Sequence, residues 1–157
     1  MCIIDNEPVY ILKKVQLLAS DLYFHFSSTK PELFNFFDIR EAPIFSDNVI
    51  PTILNHLKII PLSTPSETNS RQKQVIEELQ KDLRTGRPTT RERSYVFRAA
   101  AVDACEVIVQ RARGMSDGKA FIRAMTAGQL DAYLWQIAKQ GETRDITRFC
   151  DANTVYF

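Results

Sequence analysis

With 157 residues, 45% of them hydrophobic and 25% charged, the chain has the make-up of one ordinary globular domain, long enough to bury a core. Twenty basic residues against nineteen acidic leave a net charge of +1. That excludes bulk binding to duplex nucleic acid, which depends on counterion release from a basic surface, but leaves room for a small anion held by a few local cations.

Residues 8–26 are predicted to form a buried helix. Leu12, Val15, Leu18, Leu22 and Phe26 recur at three- and four-residue steps, and Ile11, Leu17 and Phe24 lie off that stripe. Lys13, Gln16 and Ser20 run along it as a polar line that faces either a cleft or solvent. After a break at 27–31, Pro31 suits the first turn of a short helix carrying Leu33, Phe34, Phe36 and Phe37. A helix is expected over 48–58, with Ile53, Leu54 and Leu57 as its apolar face, and Pro61, Ser63, Thr64 and Pro65 break the chain after it. The polar stretch 66–84, with a thin seam of Val75, Ile76 and Leu79, ends at Gly86. Residues 65–88 are expected as an inserted surface helix or linker.

Thr89 and Glu92 have capping-box spacing, so a long helix should follow, with Phe97, Ala100, Ala104, Val107 and Ile108 as its core face. The small residues Ala99, Ala100, Ala101 and Ala104 would let a neighbouring helix approach closely. Residues 113–118 are expected as a loop. A second capping-box pair, Thr126 and Gln129, opens a helix in which Leu130, Tyr133, Leu134 and Ile137 fit the helical template, and Gly141 should end it. An irregular tail closes with Thr154-Val155-Tyr156-Phe157. No strand pattern competes, so the expected fold is all-α, in a single helical domain.

Most motif chemistry is absent. Five scattered glycines build no phosphate loop, and His25 and His56 have no ligand partners at useful spacing. Cys2, Cys105 and Cys150 lack metal-ligand spacing and read as reduced, small apolar packers. Neither a leader pattern nor an apolar run of about 18 residues is present, so cytoplasm or nucleus is the expected compartment and no membrane partner is expected.

Two carboxylates stand out. Asp47 precedes a helix and could simply cap it. Pro51 fits better if the cap is Asn48 or Ile50, because a proline cannot supply the N–H an established turn needs, and that would leave Asp47 free to point elsewhere. Asp131 lies one turn before Trp135, the only tryptophan, on the same helix face. It reads either as compensation of the helix dipole or as part of a ligand wall.

These elements, in order, resemble the C-terminal half of the queuosine salvage proteins, the queuosine 5′-phosphate N-glycosylase/hydrolase family. Leu12-Lys13-Lys14-Val15-Gln16 through Asp21 is similar to a lysine-rich family block. Phe45-Ser46-Asp47-Asn48-Val49-Ile50-Pro51 looks like its Phe-x-Asp-x-x-x-Pro element. Arg98-Ala99 with Glu106 resembles a further helix, Leu130 to Gln136 resembles its Leu-Asp-x-x-Leu-Trp-Asp element, and Tyr156-Phe157 resembles a closing aromatic pair. The chain departs from the pattern where Gln136 replaces an acid, where Asn48-Val49 replaces Tyr-Arg, and where Val96 stands in place of a glutamate.

The resemblance implies an all-helical fold distantly like the DNA glycosylases, and hydrolysis of queuosine 5′-phosphate to release queuine, without metal or cofactor. Phe45 would wall the pocket against the base, Asp47 and Asp131 would be the acidic catalytic contacts, and Asn48, Trp135 and Gln136 would line the substrate. Lys13 would meet the 5′-phosphate. An N-terminal half or a partner chain would supply the pocket's other wall. The alternative is a non-catalytic helical interaction module using the 66–84 seam and the phenylalanines of 33–37.

Overall fold

The computed structural model describes residues 2–4, 6–60, 70–117 and 119–152. The break at 61–65, the first residues of the 66–84 stretch, Gly118 and the closing 154–157 lie outside these residues.

The described chain is predominantly helical, as its periodicity predicts, with one addition. Cys2–Ile4 (β1) and Glu7–Val9 (β2) form an antiparallel hairpin. Asn6 stands at its turn with φ +66°, a left-handed conformation that asparagine tolerates. Three-residue strands are too short to show alternation, which is why the sequence pattern misses them. The hairpin takes the residues assigned to the start of the first helix, so α1 runs Lys13–Phe26 rather than from residue 8.

A second correction concerns what α1 buries. Ser20 is its one buried residue, whereas Leu12, Val15 and Leu18 of the apolar stripe are 53%, 62% and 60% exposed. Periodicity states which residues share a face, not whether anything covers that face.

The next helix, α2 (Pro31–Phe34), has proline in its first turn as expected, and a 3₁₀ turn follows at Ile39–Glu41. Next comes α3 (Val49–His56), whose residues Val49 to Leu54 are buried without interruption, packed against the helices at 91–113 and 127–137. Leu57, predicted on its core face, is instead exposed just past its end. The polar stretch forms α4 (Ser70–Thr85), stopped at Gly86 with φ +65°. Its seam is partly enclosed, Leu79 packing with Phe97 and Phe149 in a small second core.

Helix α5 (Arg91–Arg113) is capped by Thr90, whose side chain accepts the Arg93 N–H, and not by Thr89. Thr89 is wholly buried, its backbone bonding Cys150 and Ala152 in an isolated bridge. The face of α5 is correspondingly turned: Phe97, Ala101, Cys105, Val109 and Ala112 are buried, Ala100 and Ala104 only partly, and Val107 is exposed. A four-residue helix, α6 (Ala120–Arg123), is too short to show a period. The Thr126–Gln129 capping box opens α7 (Ala127–Ile137) as predicted, both hydrogen bonds being present. Its end comes at Ala138, ahead of Gly141, and Tyr133 points outward.

The main core lies where α3, α5 and α7 meet, around Ile50, Ile53, Leu54, Ala101, Leu130 and Leu134. The three cysteines are free, with Cys105 buried in this core. No described helix is long and apolar enough to cross a membrane.

These burial differences set an expectation for urea unfolding followed by circular dichroism. Leu54→Ala should cost about 3 kcal/mol, the scale of a cavity in a closed core, while Val15→Ala should stay within about 0.5 kcal/mol. Equal losses would contradict the exposed placement of the α1 stripe.

Candidate active site

The site is built on the segment that leads into α3. The Oδ1 atom of Asp47 accepts the N–H groups of Val49 at 2.7 Å and Ile50 at 3.3 Å. These are the first two residues of the helix, and the third, Pro51, has no N–H. The opening turn of α3 therefore leaves no donor over among its first three residues. Proline at this position and aspartate two residues ahead of the helix are complementary.

The other oxygen, Oδ2, is free of that duty. It accepts the Lys13 Nζ ammonium at 2.7 Å and the Trp135 Nε1–H at 3.3 Å. The two readings of Asp47 are thus divided between its two oxygens, although the carboxylate as a whole is only 2% exposed. Lys13 arrives from the first residue of α1 and Trp135 from the third turn of α7. The Lys139 ammonium stands 4.0 Å from the centre of the indole ring, a cation–π contact that holds the ring from one side.

Asp131 completes a reciprocal lock. Its Oδ1 accepts the Phe45 N–H at 3.3 Å, so α7 grips the segment before α3 with one side chain while that segment grips α7 through Trp135. Asp131 is 7% exposed. Burial first, and then the charge of Asp47, push its carboxyl up from 3.8 to about 6, against the opposing pull of the Phe45 N–H and Lys13. Cys105, beneath it, is pushed up to about 12 by burial and by Asp131. Its thiol stays protonated at neutral pH and is no nucleophile.

Two adjoining hollows open here. The smaller, about 260 Å³, is lined by Lys13, Leu17, Phe45, Asp131, Ala132 and Trp135. The larger, about 600 Å³, shares Leu17, Phe45, Asp131 and Ala132 and adds Ser20, Asp21, Tyr23, Arg40 and Gln129, among others. Lys13 and Ser20, two members of the polar line on α1, therefore face the cleft, and the apolar stripe faces outward for that reason.

Of the candidate residues, Asp47, Asp131, Phe45, Trp135 and Lys13 come together. Asp47, Asn48 and Gln136 do not line either hollow; Asp47 meets the smaller one only through Lys13 and Trp135, which its Oδ2 holds. The Asn48 amide donates to the Phe149 carbonyl at 3.0 Å, and Gln136, one residue past the indole and so roughly 100° round the helix, is exposed. Arg40 and Gln129 line the larger hollow without having been singled out: Arg40 lies in a short 3₁₀ turn that has no periodic signature, and Gln129 reads only as a cap. Among the described residues no group of three or more His, Cys, Asp or Glu side chains is placed to hold a metal ion.

The raised carboxyl of Asp131 has a stability consequence with a definite sign. The folded state binds this proton more tightly than the unfolded chain, so its contribution is full below about pH 4 and lost as pH rises through about 6. Moving a carboxyl from 3.8 to about 6 corresponds to on the order of 3 kcal/mol. Asp131→Asn keeps an acceptor for the Phe45 N–H and removes the charge. In thermal melts it should be more stable than the parent at pH 7 to 8, the gap closing toward pH 4; a variant less stable at pH 8 would contradict the assigned strain.

No curated protein sequence matches the chain. A family model described as Queuosine salvage protein matches residues 1–157, the whole of it. With the segment ahead of α3 and the acid-and-indole face of α7 meeting at one hollow, the fold and the match agree: the chain belongs to the queuosine salvage protein family.

Proposed function

We propose that the chain hydrolyses the N-glycosidic bond of queuosine 5′-phosphate, giving queuine and ribose 5-phosphate. The observation that carries this is a buried carboxyl, Asp131, lining the hollow, with a second buried carboxylate, Asp47, directly behind two of its lining residues, Lys13 and Trp135. Membership of the queuosine salvage family supports the substrate class.

Hydrolysis breaks the bond between C1′ and the base nitrogen, and the electron pair leaves with the base. Positive charge builds on C1′ and the ring oxygen, and an anion nearby stabilises it. In this reading Asp47 is that anion. Its Oδ2 lies behind the Lys13 ammonium, which sits on a flexible four-carbon stem. Incoming substrate draws the ammonium toward the 5′-phosphate and leaves Oδ2 to the ribose and the attacking water. Water oxygen becomes the new C1′ hydroxyl.

The departing base needs a proton, and a 7-deazapurine lacks the basic N7 that helps ordinary purines leave. Asp131, with its carboxyl near 6, holds a proton at the pH where it can still give it up, as a general acid requires. The proton it gives to the base is replaced by the one that water loses. Phe45 walls the base. The larger hollow then takes the base's cyclopentenediol-amine arm, where Asp21 offers an anion to the arm's ammonium.

A second reading has its own support. The outward stripe of α1 and Phe37, which is 96% exposed, would suit a helical interaction module. The two are separated by incubating the folded protein with queuosine 5′-phosphate and following queuine by mass spectrometry. Release is expected, falling as pH rises through about 6 with Asp131. Asp47→Asn should slow it about 100-fold, the scale of a lost charge stabiliser. Equal rates for Asp47→Asn and parent would remove Asp47 from the mechanism, and no release by the parent at any pH would favour the module.

A further inference from the structure

We infer that Ser46 and Asn48 are positioning residues that aim the Asp47 carboxylate, both working against a single anchor, Arg98; the inference rests on the role proposed above for Asp47.

The residues on either side of Asp47 are tied to different parts of the fold. Ser46, 2% exposed, donates its hydroxyl to the backbone carbonyl of Arg98 at 3.0 Å, in the middle of α5. Asn48 donates its side-chain N–H to the Phe149 carbonyl at 3.0 Å. The Asn48 carbonyl is in turn held by the Thr52 hydroxyl at 2.7 Å. The peptide units flanking Asp47 are thus gripped from two directions by side chains that do not touch the hollows.

Both grips lead to Arg98. Its backbone receives Ser46, and its guanidinium holds the segment that receives Asn48. The guanidinium lies 5.8 Å from the centre of the Phe149 ring, and its Nη2 is 3.6 Å from Asp151 Oδ2. Phe149 is buried against Phe97, with ring centres 5.4 Å apart. The same segment is fastened at Thr89, whose N–H donates to the Cys150 carbonyl at 2.8 Å and whose carbonyl accepts the Ala152 N–H at 2.9 Å. The Arg98–Asp151 contact is Coulombic only, since neither Arg98 Nη2 nor Asp151 Oδ1 makes a hydrogen bond. Removing either partner would strand a buried charge and threaten the fold, so the clean test lies at Asn48.

Such support matters because a carboxylate swung by a small angle misses the developing charge, and a misplacement of about 1 Å can cost about 100-fold in rate. Asp47 also reports its own position. The chain has one tryptophan, and its indole N–H donates to Asp47 Oδ2. A single indole resonance in a ¹⁵N–¹H spectrum therefore reads that contact without substrate.

The experiment compares the parent with Asn48→Ala, which loses the donor, and Asn48→Gln, which keeps an amide N–H. Asn48→Ala should move the indole proton upfield, as a weakened hydrogen bond does, and lower kcat about 10-fold, short of the loss for a full 1 Å error, with KM within about twofold. Asn48→Gln should return both part of the way. Circular dichroism melts give the folded fraction of each variant. An indole resonance in Asn48→Ala identical to the parent's would overturn the inference, as would a rate loss that only follows the folded fraction and is not relieved by glutamine. If the parent releases no queuine, the functional proposal fails by itself, and the indole resonance alone still decides whether Asn48 positions Asp47.

Discussion

A carboxylate taken out of water must be given donors, or it does not stay there as an anion. Asp47 is 2% exposed and receives two backbone N–H groups, an ammonium and an indole N–H. Those donors come from α3, from the first residue of α1 and from α7. Satisfying one side chain therefore fixes where three helices stand relative to each other, and the hollow is the space that arrangement leaves between α1 and α7. The site is a consequence of how the buried charge is accommodated.

The two acids are held on unequal terms. Asp47 has donors on both oxygens, while the hydrogen bond made to Asp131 is a single backbone N–H, with a charged neighbour against it. The effect of placing them side by side falls on Asp131, whose carboxyl is raised by burial and by the charge of Asp47. The arrangement opposes stability near neutral pH. The protonated Cys105 thiol beneath Asp131 adds no charge to this balance.

How much of this could be read in the sequence follows from the range of each signal. The Thr126–Gln129 box is local, three residues apart, and it fixed the start of α7. The signal of Pro51 is also local and holds only in part: it takes Asp47 away from capping, whereas Oδ1 accepts the first two N–H groups of α3 and only Oδ2 turns elsewhere. Thr89 failed as a cap although its spacing to Glu92 is right, because a partner far along the chain claims its backbone, and Thr90 takes the role. The resemblance puts Asn48 against substrate, but the Phe149 carbonyl that takes its amide lies 101 residues away. The α1 stripe was misjudged for the opposite reason: the period was right, and the polar side of the helix is the one that turns inward. Arg40 carries no local pattern at all.

The reciprocal lock has a bearing on how the protein folds. Its two hydrogen bonds, Phe45 to Asp131 and Asp47 to Trp135, close loops of 86 and 88 residues. Joining points so far apart carries a chain-entropy cost that local helix formation does not offset. A fragment holding only the first part of the chain has Lys13 and Asp47 but neither Asp131 nor Trp135, and so cannot close the hollow. The hollow is not formed until α7 docks, and a proteolytic cut between α3 and α7 would make closure a bimolecular event, dependent on concentration. The hollow is a property of the finished fold alone.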